Sequence, residues 1–251
     1  MKRENIVQLL ILLLSIILIL TSNYYPTNPS GDNVEKISIN TVLLSIGCSI
    51  LAVVIINFVE YHITLPEVNF MKVINSWKLV SIFKTRQEMN TVTNKLLLKS
   101  EELDIAALGA SGFINYQGDV LKARLQKGLK IRFLIPHRES NFISQREKDE
   151  MAQEGSIKKS ISDLVEWVET TKKELNLSDS AIQIREYSCL PIDSIMRIDN
   201  NLFTGPFMVK KKSQLTMSYQ YKKGGVGYEY YNKYFEEIWN DDNITNPIQL
   251  G

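Results

Sequence analysis

Two long apolar runs lie close together near the start of the chain, and neither contains a charged residue. Ile6–Leu20 consists almost entirely of isoleucine and leucine, and Ile39–Val59 is interrupted only by small or uncharged polar residues. A helix needs roughly 20 apolar residues, within a range of about 17 to 25, to cross the hydrocarbon core of a bilayer. We therefore predict a transmembrane helical hairpin over residues 1–62, with membrane spans near residues 5–25 and 38–59.

The first apolar run has an alternative interpretation as a secretory signal peptide, because Lys2 and Arg3 precede it. The residues after it, Ser22–Pro26, lack the small-x-small pattern of a cleavage site. Tyr24 and Tyr25 are instead typical of the aromatic belt at a membrane surface. This pattern favours a membrane anchor over a cleaved signal.

Basic residues flank the two apolar runs in a way that predicts their orientation, because Lys and Arg accumulate on the cytoplasmic side of membrane helices. Lys2 and Arg3 precede the first run, whereas the connecting loop Pro26–Ser38 has no basic excess. The segment after the second run contains Lys72, Lys78, Lys84 and Arg86. We expect a multi-pass protein of the inner (plasma) membrane with its N- and C-termini in the cytoplasm.

The overall composition limits the partners of the chain. Of its 251 residues, 44% are hydrophobic and 23% charged, and the formal net charge is only +1. Domains that bind nucleic acid are normally strongly basic, so no nucleic-acid partner is expected. Cys48 and Cys189 are far apart and fit free thiols in a reducing cytoplasm. No His or Cys pairs have metal-ligand spacing, so neither a metal nor a cofactor is expected.

Residues 63–100 are predicted to form an amphipathic stem or linker helix. From Glu67 onward, apolar residues recur at roughly helical spacing with lysines between them, and Thr85–Glu102 continues as helix. One interpretation is an interfacial helix that lies on anionic lipid. The other is a stem that packs on its own domain or on the stem of a second copy.

Residues 101–242 have the pattern of an α/β domain. Leu103–Ser111 is typical of a buried strand and a tight turn, Asn115–Lys127 of a helix, and Lys130–Ile135 of a second strand. A strand, a helix and a strand within about 30 residues predict a βαβ unit with parallel strands. The later predicted elements are a helix at Ser160–Leu175, strands at Ile182–Tyr187, Ser194–Asp199, Leu202–Met208 and Gln214–Gln220, and a helix at Tyr228–Trp239. Residues 243–251 are a C-terminal tail, and the fold class is α/β with a mixed sheet.

The order of these segments resembles that of a single phospholipase D-like domain, over about residues 85–242. The segments that carry the resemblance are Leu-Asp-Ile-Ala-Ala-Leu-Gly-Ala-Ser, Leu-Gln-Lys-Gly-Leu-Lys-Ile-Arg-Phe-Leu-Ile-Pro, Ile-Gln-Ile-Arg-Glu-Tyr, Ile-Met-Arg-Ile-Asp-Asn and Tyr-Phe-Glu-Glu-Ile-Trp. They are most similar to the divergent versions that serve as regulatory or sensor domains in bacteria. The resemblance implies one such domain fused to a two-helix membrane anchor.

The catalytic motif of that family, His-x-Lys followed by Asp, is absent from this chain. Imidazole is required there because one His attacks phosphorus and another protonates the leaving group. His62 lies at the membrane edge, and His137 is followed by Arg138 and Glu139. Asp199 matches the Asp of the motif, but Asp193 or its neighbour stands where the His would be. The resemblance therefore implies the fold without phosphodiesterase activity, and no residue is assigned a catalytic role.

A ligand pocket is predicted instead at the carboxyl ends of the strands, where open α/β sheets bind their ligands. Ser111 and Gly112 open a helix whose N-terminus can hold an anion. Three further groups complete the candidate site. They are residues after the second predicted strand, residues around the third predicted strand, and polar residues near the position that the catalytic motif would occupy. The candidate ligand-binding residues are Ser111, Gly112, His137, Arg138, Ser140, Tyr187, Asp193, Arg197 and Asp199.

These expectations combine into one functional hypothesis. The chain is a membrane-anchored, catalytically inactive sensor or effector that binds a small phosphate-bearing ligand and alters how its membrane helices associate. Its layout is similar to membrane effectors of bacterial antiphage systems that respond to a nucleotide signal. The expected partners are the lipid bilayer, further copies of the chain in a homodimer or higher homo-oligomer, and the anionic ligand. The alternatives are a degenerate phosphodiesterase or phospholipid-active enzyme that uses Asp193 and Asp199, and a membrane scaffold without a ligand.

Overall fold

The computed structural model describes residues 3–24, 38–190 and 193–248. The chain divides into two compact units, Met1–Val73 and Ile74–Gly251. The first unit contains helix α1 (Arg3–Ser22), helix α2 (Ile39–Val59), a π-helical turn (Glu60–Thr64) and most of helix α3 (Leu65–Trp77). The second unit contains every strand of the described residues.

Helix α2 is long and apolar enough to cross a membrane. Over the most apolar 18 residues of this 21-residue helix the mean hydropathy reaches 2.7, and only 6% of that stretch is buried. Val7–Ser22, within α1, is a shorter apolar helix. An exposed apolar surface of this kind is unfavourable in water, so the two helices indicate association with a membrane.

Helices α1 and α2 pack closely where Gly47 faces α1. A Cβ atom at Gly47 would lie 2.7 Å from Cγ1 of Ile19 and 3.2 Å from the backbone oxygen of Ser15. Ser15 is itself fully buried, and its hydroxyl donates a hydrogen bond to the oxygen of Leu12. Small residues allow helix backbones to approach each other in this way. The predicted connecting loop, Pro26–Ser38, lies outside the described residues except for Ser38.

The second unit is built on one eight-stranded mixed sheet. Its strands are β1 (Leu79–Phe83), β2 (Glu102–Ala106), β3 (Lys130–Pro136), β4 (Ile182–Tyr187), β5 (Asp193–Ile198), β6 (Asn201–Pro206), β7 (Ser218–Lys222) and β8 (Thr245–Pro247). Its helices are α4 (Arg86–Leu97), α5 (Ser111–Leu125), α6 (Asn141–Glu150), α7 (Ser156–Leu175) and α8 (Val226–Asn240), with a 3₁₀ turn at Ser213–Leu215. The strand order is β1-β7-β6-β5-β2-β3-β4-β8.

The predicted α/β class, the mixed sheet and the parallel βαβ unit are confirmed. Strands β2, β3 and β4 are parallel, with Ile105 opposite Phe133 and Phe133 opposite Ile184. All other strand pairs are antiparallel. Strands β2 and β3 are buried almost continuously because helices cover both of their faces.

Two apolar clusters lie on opposite faces of the sheet. One face carries the larger cluster, to which α4, α5 and α7 contribute Leu97, Leu121 and Leu164. The other face is covered by α8, through Phe235 and Trp239. The cavity described below opens on the face of the larger cluster.

Two segments differ from the sequence-based expectation. Residues 79–83, placed in the stem helix of residues 63–100, form β1, which pairs with β7. The helix ends at Lys78, which has a φ of 46°, and the following β-branched and aromatic residues favour a strand. Within the tail of residues 243–251, Thr245–Pro247 form β8 beside β4, so the sheet extends beyond residue 242. The last residues of the tail, 249–251, lie outside the described part of the chain.

Candidate ligand-binding site

A cavity of about 830 Å³ lies between α4, α5 and the sheet, and we name it the α4–α5 cavity. Its volume falls within the range of about 300 to 1,000 Å³ that small-molecule sites occupy. Its apolar wall includes Met89, Ile105 and Phe203. Among the described residues that line it, Arg86 and Glu150 are the two charged ones. The cavity thus combines an apolar wall with few charges, as ligand sites do.

The N-terminus of α5 opens into this cavity and is held by α7. The backbone N–H and the hydroxyl of Ser111 both donate to Oγ of Ser160, over 3.1 and 2.9 Å. Close approach at this point requires Gly109, since a Cβ there would lie 2.4 Å from the same oxygen. By contrast, a Cβ at Gly112 would have no atom within 4 Å. Space therefore remains beside Gly112, in the first turn of α5.

That helix N-terminus favours an anion. The first N–H groups of a helix have no partner within the helix, and the helix dipole places partial positive charge there. Ala110 occupies the N-cap position and provides no side-chain cap. Ser111 occupies the first helical position and bonds to Ser160. Gly112 and Phe113 follow it in the first turn and line the cavity.

Arg86 is the cation of the cavity. It follows Thr85, whose hydroxyl accepts a hydrogen bond from the N–H of Glu88 and so caps α4. Nη2 of Arg86 donates to the backbone oxygens of Gly205 and Pro206, over 2.8 and 3.3 Å. Its Nε is buried and has no hydrogen-bond partner within the described part of the chain. The backbone of β6 therefore holds the guanidinium at the cavity and leaves part of its donor capacity unused.

A second arginine shares an aromatic ring with Arg86. The guanidinium carbons of Arg86 and Arg146 each lie 5.3 Å from the ring centre of Phe207. Arg146 is paired with Glu150, whereas burial and the neighbouring charge of Arg146 lower the pKa of Arg86 to about 10. A lowered arginine pKa means that the protein alone stabilises this charge poorly. A bound anion would supply the missing stabilisation.

Uncharged polar groups line another part of the cavity. Arg86, Asn90 and Asn94 are spaced four residues apart and so share one face of α4. The amide nitrogen of Gln117, on α5, donates to the oxygen of Asn94 over 2.5 Å. The amide nitrogen of Asn94 donates to the hydroxyl of Tyr116 over 3.5 Å.

A buried hydroxyl also faces the cavity from β7. Ser218 is only 1% exposed and lines the cavity wall. Its Oγ has no hydrogen-bond partner among the described residues.

The predicted residues after β3 lie apart from the cavity. Nε2 of His137 is 3.9 Å from Glu186, and Nε of Arg138 is 3.4 Å from the same carboxylate. The hydroxyl of Ser140 accepts a hydrogen bond from the N–H of Phe142 and caps α6. These residues have structural partners, and none of the three lines the α4–α5 cavity.

Tyr187 and Asp193 lie near the other face of the sheet. Tyr187 belongs to the cluster under α8, and burial raises the pKa of its hydroxyl well above the usual value. The carboxylate of Asp193 accepts a hydrogen bond of 3.2 Å from Tyr231. Burial raises the pKa of Asp193, although that hydrogen bond and the charge of Arg86 oppose the shift.

Arg197 and Asp199 lie where the end of β5 meets the start of β2, and both side chains bond to other parts of the protein there. Arg197 forms ion pairs with Asp104 and Glu102 and does not line the α4–α5 cavity. Asp199 has a φ of 48°, and its carboxylate accepts hydrogen bonds of 2.9 Å from the N–H groups of Glu101 and Glu102. This carboxylate therefore stabilises the turn between β5 and β6.

Of the nine predicted residues, Ser111 and Gly112 line the cavity. Sequence reasoning missed Arg86 and Asn94, because α4 had been assigned to the stem, and it missed Gln117, which lies in the interior of α5. The polar spacing of Arg86, Asn90 and Asn94, beside the apolar Met89 and Leu97, could have indicated a helix with one face on a core and one on a cavity. In the described part of the chain, no three His, Cys, Asp or Glu side chains group as metal ligands would.

Comparison with known proteins yields little. No protein-family model matches the chain, and no curated protein does. Among solved structures, the chain is similar to TrmBL2, an archaeal chromatin protein described as showing a novel mode of DNA binding. The two are 14% identical with a TM-score of 0.36, over 87% of this chain and 78% of that one. A similarity this low carries no argument about function, which must come from the site itself.

Proposed function

We propose that this protein is a membrane-anchored sensor that binds a small phosphate-bearing molecule in the α4–α5 cavity. The observation that carries the proposal is Arg86, a half-buried cation at the cavity wall whose guanidinium is fixed by the backbone of β6 and whose pKa is lowered. The N-terminus of α5 adds N–H donors to the same cavity. Guanidinium and helix N-termini are the groups with which proteins most often bind phosphate.

The lining supports binding more than catalysis. Its one carboxylate, Glu150, accepts hydrogen bonds from Arg146 and Ser213, and so is already committed. Histidine does not occur among the described lining residues. Asp193 and Asp199, the residues of the enzyme alternative, are bonded to Tyr231 and to the turn before β2. The phospholipase D-like resemblance therefore supports a proposal about the fold and none about catalysis.

The binding proposal is tested on the full chain in detergent micelles. Inorganic phosphate, ribose 5-phosphate and the four ribonucleoside 5′-monophosphates are titrated while thermal unfolding is followed. A ligand present at 100 times its Kd should stabilise the fold by about 2.7 kcal/mol. Arg86→Gln should weaken that binding about tenfold or more, because hydrogen bonds to charged groups contribute about 1.5 to 3 kcal/mol.

Arg138→Gln is the matched control, since Arg138 is exposed and lies outside the cavity. It should bind every probe like the unaltered protein. Equal affinity of the Arg86→Gln and Arg138→Gln variants would refute the site. Binding of no phosphorylated probe would favour the scaffold alternative, and hydrolysis of a diester that Asp193→Asn abolishes would favour the enzyme alternative.

We further propose that ligand binding changes how α1 and α2 associate between copies in a multi-pass membrane anchor with cytoplasmic termini. Cys48 is an exposed thiol on α2 and so can report on this. In a Cys189→Ser background, cross-linking at Cys48 should change when the bound phosphate ester is added. A yield that is the same with and without a ligand shown to bind would contradict the coupling.

A further inference from the structure

The two helices that wall the α4–α5 cavity run side by side in the same direction. Gln117 of α5 contacts Asn94 of α4, and Arg124 donates to the oxygen of Ser100 just beyond α4, over 2.7 Å. Successive positions on α4 thus correspond to successive positions on α5. Arg86 and Gly112, near the starts of the two helices, therefore lie at one end of the cavity.

The other end of the cavity lies along the helices. Eight residues separate Arg86 from Asn94, which corresponds to about 12 Å along a helix axis at 1.5 Å per residue. At that distance the wall consists of Asn94, Gln117 and Tyr116, none of which is charged. The cavity is therefore bipolar, with an anion-binding end and an uncharged end that can form hydrogen bonds.

The uncharged end is chemically specific. Gln117 is only 4% exposed, so its amide is a buried polar group at the cavity wall. An amide offers two N–H donors and an oxygen with two lone pairs, and the bonds between Gln117, Asn94 and Tyr116 use only some of these. Asn and Gln side chains with a donor beside an acceptor match the edge of a nucleobase.

Aromatic rings lie beside these amides. Tyr116 lines the cavity and is 70% exposed, and Phe113 lines it one turn earlier on α5. Unstacked bases are commonly held on such rings, with stacking worth about 1 to 3 kcal/mol per base. A lipid headgroup, by comparison, has no planar ring to occupy this end.

From this arrangement we infer that the cavity takes a nucleotide, an inference that rests on the proposed phosphate-binding function. The phosphate lies at Arg86 and the N-terminus of α5, and the base lies against Tyr116 with its edge toward Asn94 and Gln117. Asn94 and Gln117 are then specificity-determining residues that touch the base and leave the phosphate untouched.

The test compares ligands that differ only in the base. The full chain in detergent is titrated calorimetrically with ribose 5-phosphate, glycerol 3-phosphate and the four ribonucleoside 5′-monophosphates. At least one monophosphate should bind about tenfold more tightly than ribose 5-phosphate. Asn94→Ala should remove about tenfold of that preference while the affinity for ribose 5-phosphate stays unchanged.

Asn240→Ala is the matched control, because Asn240 is an exposed asparagine on α8, on the other face of the sheet. It should keep the full preference. Tyr116→Ala provides a second variant that tests the same end of the cavity, and its exposed position makes loss of folding a small risk. It too should lose base preference and keep ribose 5-phosphate binding.

The outcomes separate this inference from the function on which it rests. If ribose 5-phosphate and every monophosphate bind with equal affinity and Arg86→Gln loses this binding, the proposed phosphate site is supported. The same result overturns base recognition. Glycerol 3-phosphate that binds as tightly as the best monophosphate overturns it in favour of a lipid headgroup. Failure of every probe to bind overturns both proposals.

Discussion

Asp104 on β2 and Arg197 on β5 lie directly opposite each other in the sheet, with Oδ2 of Asp104 2.5 Å from Nε of Arg197. The other oxygen of Asp104 accepts a hydrogen bond of 2.7 Å from Nε of Arg132 on β3. The Asp104 side chain is only 3% exposed. One buried carboxylate thus joins three adjacent strands and pairs with two arginines, whose second partners are Glu236 and Glu102.

Asp104→Asn should destabilise the protein by about 3 kcal/mol or more, because removal of one partner leaves a buried charge uncompensated. Urea unfolding of the full chain in detergent, followed by tryptophan fluorescence, measures the loss. Glu102→Gln is the comparison, since Glu102 binds the same Arg197 but is 57% exposed. An exposed pair contributes about 1 kcal/mol at most, so equal losses in the two variants would contradict the role of Asp104.

Gly109→Ala should lower stability by about 1 to 3 kcal/mol, the typical cost of overpacking. The new methyl group would overlap the hydroxyl of Ser160 and displace the N-terminus of α5. Thermal unfolding checks the stability, and phosphate-ester affinity should fall with it. Gly112→Ala lies three residues away with open space around its Cβ, and it should leave the unfolding temperature unchanged. A stable Gly109→Ala variant would show that the contact with α7 is dispensable.

Asp193→Asn should raise stability at neutral pH. The pKa of Asp193 is higher in the folded protein than in the unfolded chain, so its ionisation costs folding free energy. That cost is absent below about pH 4 and develops as the pH rises through the folded pKa. The advantage of the variant, measured as a difference in unfolding temperature, should therefore be present at pH 7 and disappear in acid.

Asp179→Asn is the opposite control for this pH dependence. The hydrogen bond from Lys172 lowers the pKa of Asp179, so its ionised form adds stability above the unfolded pKa and loses it in acid. The substitution should lower stability slightly at pH 7. If both variants shifted in the same direction, the burial argument for Asp193 would be wrong.

Gly47→Leu should weaken the packing of α2 on α1, because even a Cβ at this position would overlap Ile19. Disulfide formation between cysteines introduced at Ser15 and Leu51, in a background without native cysteines, can report the proximity of the helices. The cross-link should form less readily with Leu at position 47. Ser49→Leu, at an exposed position of the same helix, should leave the yield unchanged.

The sequence allowed the centre of the domain to be predicted because its signals there are local. Leu103–Ser111 and Lys130–Ile135 are apolar runs bounded by small residues, Gly or Pro, and they became β2 and β3. The strand β1 could not be predicted in this way. Its apolar residues fit a helical spacing as well as an alternating one, and the choice depends on β7, far along the chain.

The site was predicted only where it depends on sheet topology. Ser111 and Gly112 follow β2 at its carboxyl end, and the general position of ligands in α/β sheets identifies them. Arg86 reaches the cavity because the backbone oxygens of Gly205 and Pro206 orient its guanidinium. A tertiary contact across more than a hundred residues leaves no mark in the local sequence.

The position of β1 at the margin of the sheet has a mechanical consequence. This strand is bonded along one side only, to β7, and it enters α4 three residues before Arg86. A force on the chain from its N-terminal side would therefore act on the hydrogen bonds between β1 and β7 and on the start of α4, where Arg86 lies. The segment before β1 is thus joined to Arg86 through this strand and only two intervening residues.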